Sequence, residues 1–357
     1  MPYEIDFLRA GDGNGDAIVI KSGDTKGDYY LNVIDGGFAD TGDQIIKHIE
    51  QYHTKKANIA NVVLTHADND HATGLIKVLE HPDFTIFNLW MNRPWDHVDE
   101  VIEHFHGAYT REGLIKKMRE MHPYLVEMEN IAARRGIAIH APLQGARIGP
   151  FTVLAPSRDR YIRLIPDLDK TPQSYAGDFG GGLRTILGGA LRNIIESVKE
   201  KLDLETLDNN PPATSASNET SVVQMATFGN KRVLLTGDVG PDGLNEAAAY
   251  AGSISLTIQP DLVQIPHHGS RRNVTTAVLD RWLGPYPASR RGDAIASVGK
   301  SQAGDYPRRK VSNAFIRRGY DVYRTENGWV NFHDGYDRRP DMGYATTMPF
   351  SSDVEDD

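Results

Sequence analysis

The chain of 357 residues contains no cysteine. Disulfide bonds and cysteine-ligated zinc sites are therefore excluded, and any metal ion must be held by histidine, aspartate or glutamate. The sequence also lacks an apolar run near the ~20 residues that a helix needs to span a bilayer. Residues 1–6 form neither a basic nor an apolar segment, so no secretory signal is predicted. We expect a cytoplasmic protein that has no membrane partner.

Negative charge dominates the sequence, but it is unevenly distributed. The net charge of −9 argues against a protein that coats nucleic acid along its whole surface. Residues 261–330 are the exception, because they contain twelve Arg and Lys against six Asp and Glu. A basic segment in an acidic protein can concentrate its field on an anionic ligand. The same charge pattern also fits a solvated surface, and charge alone leaves both readings open.

Short apolar segments alternate with helical patterns along most of the chain. Strands are predicted at 4–8, 17–21, 29–34, 59–64, 84–90, 221–228, 232–236 and 261–265. Strands mixed with helices at this spacing favour an α/β fold, an αββα sandwich of two sheets with helices outside.

One domain is expected over residues 1–333, with helical insertions at about 84–135 and 157–217. The second insertion contains a triple-glycine hinge at 180–182 and an amphipathic helix near 183–202. Residues 334–357 form a polar acidic tail that we expect to be disordered.

A compact group of metal-ligand residues follows the apolar run at 59–64. His66, Asp68, Asp70 and His71 fall within six residues. Aspartate is common in turns for backbone reasons alone. Two histidines that bracket two aspartates after a buried strand are more typical of a metal site, and imidazole with carboxylate suits zinc, iron or manganese.

Two further predicted strands end in residues of the same kind. Asp238 follows the strand at 232–236, and His267 and His268 follow the strand at 261–265. Taken singly, these are equally consistent with a turn aspartate and surface histidines. Taken together, three strand ends predict one metal centre. Its predicted ligands are His66, Asp68, Asp70, His71, Asp238 and His268.

Five other histidines lie in helical or loop contexts, where a surface position is the simplest expectation. They are His48, His53, His81, His122 and His333.

The motifs resemble those of the metallo-β-lactamase superfamily. Asp35-Gly36-Gly37, the Thr-His-x-Asp-x-Asp-His run at 65–71, Leu-Leu-Thr-Gly-Asp at 234–238 and Pro-His-His-Gly-Ser at 266–270 carry the resemblance. It spans about residues 3–333. Within the superfamily, the motifs look most similar to the hydrolase domain of the competence protein ComEC and its soluble relatives.

The resemblance implies a hydrolase that uses a metal-bound hydroxide and two divalent metal ions, zinc or alternatively manganese. One metal would be held by His66, Asp68 and Asp238, with Asn218 as a further candidate. The other would be held by Asp70, His71 and His268, with Asp238 bridging the two. Three more roles are implied: Asp70 orients the hydroxide, His267 contacts the substrate or protonates the leaving oxygen, and Asp35 accepts a hydrogen bond from the free N–H of a ligand imidazole.

The sequence departs from the superfamily pattern at three places. Asp68 stands where the usual first motif has a second histidine, and residues 141–237 contain no histidine that could act as the third-motif ligand. Asp305-Tyr306-Pro307 stands where ComEC relatives often have Gly-His-Pro. The first metal site is therefore expected to be rich in oxygen ligands.

Three functions remain open on the sequence. The first is a phosphodiesterase or nuclease, with nucleic acid or a nucleotide as its anionic partner. Arg271 and Arg272 favour it, because a guanidinium matches phosphate oxygens bidentately, and Ser270 and Asn218 are further candidates for substrate binding. The second is hydrolysis of a carboxylic ester, lactone or lactam, which predicts an apolar pocket. The third is a non-catalytic binding module with a degenerate metal site.

Overall fold

The computed structural model describes residues 1–24, 29–105, 109–168, 197–286 and 288–355. Two seven-stranded sheets form its centre. The first contains β1 (Tyr3–Phe7), β2 (Ala17–Gly23), β3 (Tyr29–Gly36), β4 (Asn58–Val63), β5 (Thr85–Trp90), β6 (Ala138–His140) and β15 (Val330–Asp334). The second contains β7 (Arg147–Ile148), β8 (Phe151–Ala155), β10 (Val223–Phe228), β11 (Lys231–Leu235), β12 (Leu262–Gln264), β13 (Gly292–Ala296) and β14 (Tyr320–Arg324). A separate pair consists of β9 (Ser197–Lys199) and β16 (Asp353–Glu355).

Helices cover the outer faces of both sheets. They are α1 (Ala39–Tyr52), α2 (Asn69–Glu80), α3 (Val98–Val101), α4 (Arg111–Met121), α5 (Pro123–Arg135), α6 (Arg158–Leu168), α7 (Ala216–Glu219), α8 (Pro241–Ser253), α9 (Thr276–Leu283) and α10 (Arg309–Arg317). None of these helices in the described ranges is long and apolar enough to cross a bilayer.

Each sheet is part antiparallel and part parallel. The first sheet has the order β15-β1-β2-β3-β4-β5-β6, and its strands are parallel from β3 to β6. The second has the order β14-β13-β12-β11-β10-β8-β7, and its strands are parallel from β14 to β11. The residues that were predicted to bind metal follow the carboxyl ends of β4, β11 and β12, and Asp35 lies at the end of β3.

Three apolar layers hold the sandwich together. Phe7 and Ile20 of the first sheet lie in one cluster with Phe151 and Phe228 of the second sheet, between the two sheets. A second cluster joins the outer face of the first sheet to α1, α2 and α5, and a third joins the second sheet to α8, α9 and α10. This layering confirms the αββα sandwich predicted from the order of strands and helices.

The structure describes the first of the two predicted insertions almost completely and the second only in part. Residues 84–135 contribute β5 to the first sheet and α3, α4 and α5 to the helices packed against it. The triple glycine at 180–182 and most of the helix predicted near 183–202 lie outside the described residues. Where that prediction reaches described residues it is wrong, because 197–199 form strand β9.

The segment from residue 334 onward differs from the expected disordered tail. Arg339 Nη2 lies 3.1 Å from Asp6 Oδ2 and 3.3 Å from Glu4 Oε2 on β1. Further along, β16 pairs antiparallel with β9. The tail is ordered through residue 355 because these ion pairs and backbone hydrogen bonds connect it to distant parts of the chain.

Candidate metal centre

Strand β4 and helix α2 place the first group of predicted ligands. The apolar strand ends at Val63, and α2 begins at Asn69, so Asp70 and His71 lie in its first turn. Helix α2 can lie against the end of β3 because Gly74 has no side chain: a Cβ there would lie 1.9 Å from the Gly36 carbonyl oxygen. This close approach brings His71 into the interior, where it is fully buried.

Asp238 lies at the centre of the site. Its Oδ2 atom is 3.4 Å from His71 Nε2 and 3.6 Å from His267 Nε2. The same oxygen is 3.9 Å from the Nε2 atoms of both His66 and His268. Two ligands that each lie ~2.1 Å from a tetrahedral zinc ion are themselves ~3.4 Å apart. The spacing around Asp238 is therefore close to that of a ligand shell.

The two remaining aspartates lie on different sides of this centre. Asp68 Oδ2 is 3.6 Å from His66 Nε2, and Asp70 Oδ2 is 3.8 Å from His268 Nε2. Asp70, His71, Asp238 and His268 each offer a ligand atom within 4.8 Å of the others. The structure thus brings together all six residues that the sequence predicted as ligands.

The hydrogen bonding of the site fits a cation. His66 Nε2, His71 Nε2, His268 Nε2 and Asp238 Oδ1 are buried and make no hydrogen bond to any residue in the described ranges. Buried polar atoms are normally paired, and each unpaired one costs roughly 1–3 kcal/mol. Imidazole lone pairs and a carboxylate oxygen directed at one small volume form the donor set that divalent metals prefer.

The carboxylates and imidazoles of the cluster shift one another's pKa values. Burial would raise the pKa of Asp238, but the imidazoles of His267, His71 and His268 hold it well below its usual range. Burial would lower the pKa of His268, but the carboxylates of Asp238, Asp70 and Asp16 raise it to about 9. The Asp238 carboxylate therefore stays ionised at neutral pH, and a metal ion binding there would displace a proton from His268.

Asp35, at the end of β3, contacts His71, one of the residues that were predicted to bind metal. Its Oδ2 atom is 2.8 Å from His71 Nδ1, and the Thr65 hydroxyl donates to the same oxygen at 2.7 Å. Thr65 Oγ1 in turn lies 3.1 Å from His66 Nδ1. With Nδ1–H donating in each case, His66 and His71 both direct an Nε2 lone pair toward Asp238.

The predicted substrate-binding residues occupy less uniform positions. Asn218 is buried, and its amide contacts His267 and Ser215. Ser270 uses its hydroxyl to accept a hydrogen bond from the backbone N–H of Arg272. Arg271 is half-buried and Arg272 is exposed, on a 3₁₀ turn directly after the two histidines. Of these four residues, Arg272 is the exposed one, and Asn218 is enclosed beside His267.

Four residues that the sequence did not single out support the site. Gln264 donates to Asp16 Oδ2 at 2.7 Å and accepts from the backbone N–H groups of Thr236 and Gly237, which fixes the loop that carries Asp238. Ser217 donates to Asp68 Oδ1 at 2.5 Å. Asn273 donates to the Asp238 carbonyl. The glycine-rich turn before Asp16 could have drawn attention to that residue. No sequence pattern marks Gln264, Ser217 or Asn273.

Comparison with known proteins agrees with this geometry. Residues 10–143 match the family model of the metallo-beta-lactamase superfamily, a segment that includes His66, Asp68, Asp70 and His71. No curated protein sequence gives a significant match.

Several solved structures are similar to the chain at low sequence identity. Zn(2+)-bound PqqB from Methylobacterium extorquens is 12% identical, with a TM-score of 0.43, over 92% of this chain and 99% of that one. Tm1679, a metal-dependent hydrolase of the beta-lactamase superfamily, is 10% identical, with a TM-score of 0.44, over 92% and 98%. Residues 10–143 are thus similar to the metallo-beta-lactamase superfamily, and the two-sheet αββα architecture is consistent with that fold.

Proposed function

We propose that the protein is a metal-dependent hydrolase that cleaves an anionic phosphodiester, as a phosphodiesterase or nuclease. One arrangement carries this proposal. The Nε2 atoms of four histidines, His66, His71, His267 and His268, lie 3.4–3.9 Å from Oδ2 of the buried Asp238. The turn that contains Arg271 and Arg272 comes shortly after His267 and His268 in the chain. A positively charged loop beside a metal centre suits a negatively charged substrate.

The donor set would hold two divalent cations. His66, Asp68 and Asp238 would bind the first, and Asp70, His71 and His268 would bind the second together with Asp238. Zinc fits the imidazoles, while manganese is the alternative for the oxygen-rich side. Such a pair would supply a water of lowered pKa and positive charge at the attacked centre.

The residues of the chain would then orient the reactants. Asp70 is the most accessible of the three carboxylates around the centre, with its side chain 26% exposed and 3.8 Å from His268 Nε2. Its carboxylate can accept a hydrogen bond from the attacking water and hold the oxygen in line with the substrate. Arg271 and Arg272 would bind the non-bridging oxygens of the phosphodiester.

The motifs also favour this substrate over an ester or lactone. Two sequence runs resemble the ComEC hydrolase domain, His66-x-Asp68-x-Asp70-His71 and His267-His268-Gly269-Ser270. We also propose that the protein is cytoplasmic. The ester, lactone or lactam alternative gains nothing from Arg271 and Arg272.

Removing both arginines tests the substrate class. We expect Arg271→Ala/Arg272→Ala to raise KM for a generic phosphodiester ~fivefold or more, since the loss of even one charge-assisted hydrogen bond costs ~1 kcal/mol or more. The salt dependence of kcat/KM should flatten as well, because fewer counterions are released on binding. Steady-state kinetics at several salt concentrations, with zinc or manganese, measure both effects.

The matched control is Arg111→Ala/Arg134→Ala, which removes two exposed arginines from α4 and α5. It should leave KM and the salt dependence unchanged. An unchanged KM in the Arg271/Arg272 variant, or faster hydrolysis of a neutral lactone by the wild type, would replace the phosphodiesterase proposal with the ester alternative. Metal binding without turnover of any phosphodiester, lactone or β-lactam would favour the non-catalytic module.

A further inference from the structure

His267 has a backbone conformation that turns its side chain toward the metal centre. Its φ and ψ angles are 47° and 51°, and those of His268 are 57° and 12°. Two successive non-glycine residues in the left-handed region are uncommon and cost free energy. The backbone N–H of His267 donates to the Gly237 carbonyl at 3.1 Å, which ties this turn to the loop that carries Asp238. Both imidazoles consequently face Asp238.

Asn273 determines which ring nitrogen of His267 carries the proton. The Asn273 Nδ2 atom donates to the carbonyl oxygens of Asp238 at 2.8 Å and Val239 at 3.1 Å. Its amide oxygen is therefore the atom that lies 3.1 Å from His267 Nδ1. Since an amide oxygen can only accept, Nδ1 carries a hydrogen, which leaves Nε2 as the ring nitrogen that can bind a metal ion.

Asn218 is compatible with this assignment. Its Nδ2 atom lies 3.0 Å from His267 Nδ1, while its Oδ1 accepts from Ser215 Oγ. A half-turn of the amide places its oxygen toward Nδ1 and its nitrogen toward the Ser215 hydroxyl, which can accept in exchange. Both asparagines then accept from the single Nδ1–H group, and neither interaction competes for Nε2.

His267 Nε2 lies 3.6 Å from Asp238 Oδ2. A metal ion between these two atoms would bind both of them, because Nε2 offers a lone pair once it carries no proton. His71 shows the same arrangement, with Nδ1 donating to Asp35 and Nε2 lying 3.4 Å from Asp238 Oδ2. A histidine held through Nδ1 with Nε2 directed inward is the usual geometry of a metal ligand.

The neighbours of His267 indicate which metal it would bind. Ser217 on α7 contacts Asp68, and the next residue, Asn218, contacts His267. His268, by contrast, lies beside Asp70. His267 is therefore on the Asp68 side of Asp238, which is the side that has an aspartate in place of the second imidazole.

We propose that His267 Nε2 is a ligand of the first metal, together with His66, Asp68 and Asp238, and supplies the imidazole that residues 141–237 lack. This inference rests on the two-metal centre of the proposed function. It replaces the role as proton donor or substrate contact that we predicted for His267 from the sequence.

Zinc stoichiometry and affinity test this ligand assignment independently of turnover. Purified wild type, His267→Ala and the control His333→Ala, on edge strand β15, are titrated with zinc against a chromophoric chelator, and metal content is measured after dialysis. We expect two zinc ions per chain in the wild type and in His333→Ala. His267→Ala should retain one, with the Kd of the other raised about 100-fold or more.

The possible outcomes separate this inference from the proposed function. Two zinc ions of unchanged Kd in His267→Ala would overturn the ligand role while leaving the hydrolase proposal intact. No zinc binding by the wild type would overturn both. If His267→Ala fails to fold by thermal unfolding, His267→Gln is measured in its place, and one tightly bound zinc supports the assignment whereas two contradict it.

Discussion

Asp70→Asn is expected to lower kcat for a phosphodiester by at least about 1,000-fold, equivalent to ~4 kcal/mol of transition-state stabilisation. The substitution removes one negative charge from the cluster formed with His71, Asp238 and His268, where ligand atoms lie within 4.8 Å of one another. It also weakens the acceptor that would orient the attacking water. Because Asp70 is partly exposed at the start of α2, the fold should tolerate the change.

Kinetics at saturating metal and thermal unfolding together measure this prediction. The matched control is Asp43→Asn, which changes an exposed aspartate that pairs with Lys77 on α2. It should alter neither kcat nor the unfolding temperature appreciably. If Asp70→Asn retains normal turnover at saturating zinc or manganese, Asp70 has no part in the mechanism.

Glu200→Gln is expected to destabilise the folded protein by ~3–5 kcal/mol, the usual cost of leaving one partner of a buried ion pair uncompensated. Glu200 Oε2 lies 2.9 Å from Arg317 Nη2, and both side chains are fully buried. Asn313 Nδ2 donates to the same oxygen at 2.7 Å and also to the Ser351 carbonyl. This pair therefore connects the segment after β9, helix α10 and the C-terminal tail.

The loss of folding stability in Glu200→Gln should depend on pH. Burial would raise the pKa of Glu200, but hydrogen bonds from Thr206 and Asn313 and the ion pair with Arg317 hold it below its usual value. The carboxylate therefore stabilises the fold fully above its unfolded-state pKa, and this contribution is lost as pH falls through the folded-state pKa. The difference between wild type and Glu200→Gln should be largest near neutral pH and shrink below pH ~4.3.

Urea unfolding at several pH values provides the measurement. Lys199→Ala is the control, because Lys199 and Asp353 form a neighbouring but exposed ion pair that should contribute ~1 kcal/mol or less. A loss of less than ~1 kcal/mol in Glu200→Gln at neutral pH would show that the buried pair does not hold the tail and α10 together.

The sequence was most informative where ligands cluster locally. His66, Asp68, Asp70 and His71 fall within six residues after an apolar strand, so their convergence could be predicted without knowing the fold. The joint position of Asp238 and His268 required one further assumption, that the parallel strands before them end at the same edge. The order of strands and helices was likewise enough to predict the αββα sandwich.

The sequence was least informative where a partner lies far along the chain. His48 was expected at the surface, yet it is buried with Nε2 2.8 Å from Asp6 Oδ2. The C-terminal segment was expected to be disordered because its composition is polar, but Arg339 pairs with the same Asp6. Composition and periodicity describe the segment around a residue. They contain no information on contacts with a carboxylate, such as that of Asp6, on a strand far away in the sequence.

The supporting residues of the site were missed for a related reason. Gln264 and Asp16 are hydrogen-bonded across 248 residues, and neither residue type marks a metal site by itself. Asn273 lies six residues after His267, but its effect on the imidazole depends on the two backbone carbonyls that orient its amide. Such interactions become visible only when the loops are placed in three dimensions.

Element-specific anomalous diffraction from crystals grown with zinc tests the central claim most directly. Two anomalous peaks ~3.5–4 Å apart are predicted on either side of the Asp238 carboxylate, each ~2.0–2.2 Å from its imidazole and carboxylate ligand atoms. One peak should lie against Asp70, His71 and His268, and the other against His66, Asp68 and His267. The absence of any peak among these residues, in zinc and in manganese, would contradict the assignment of a metal centre to this protein.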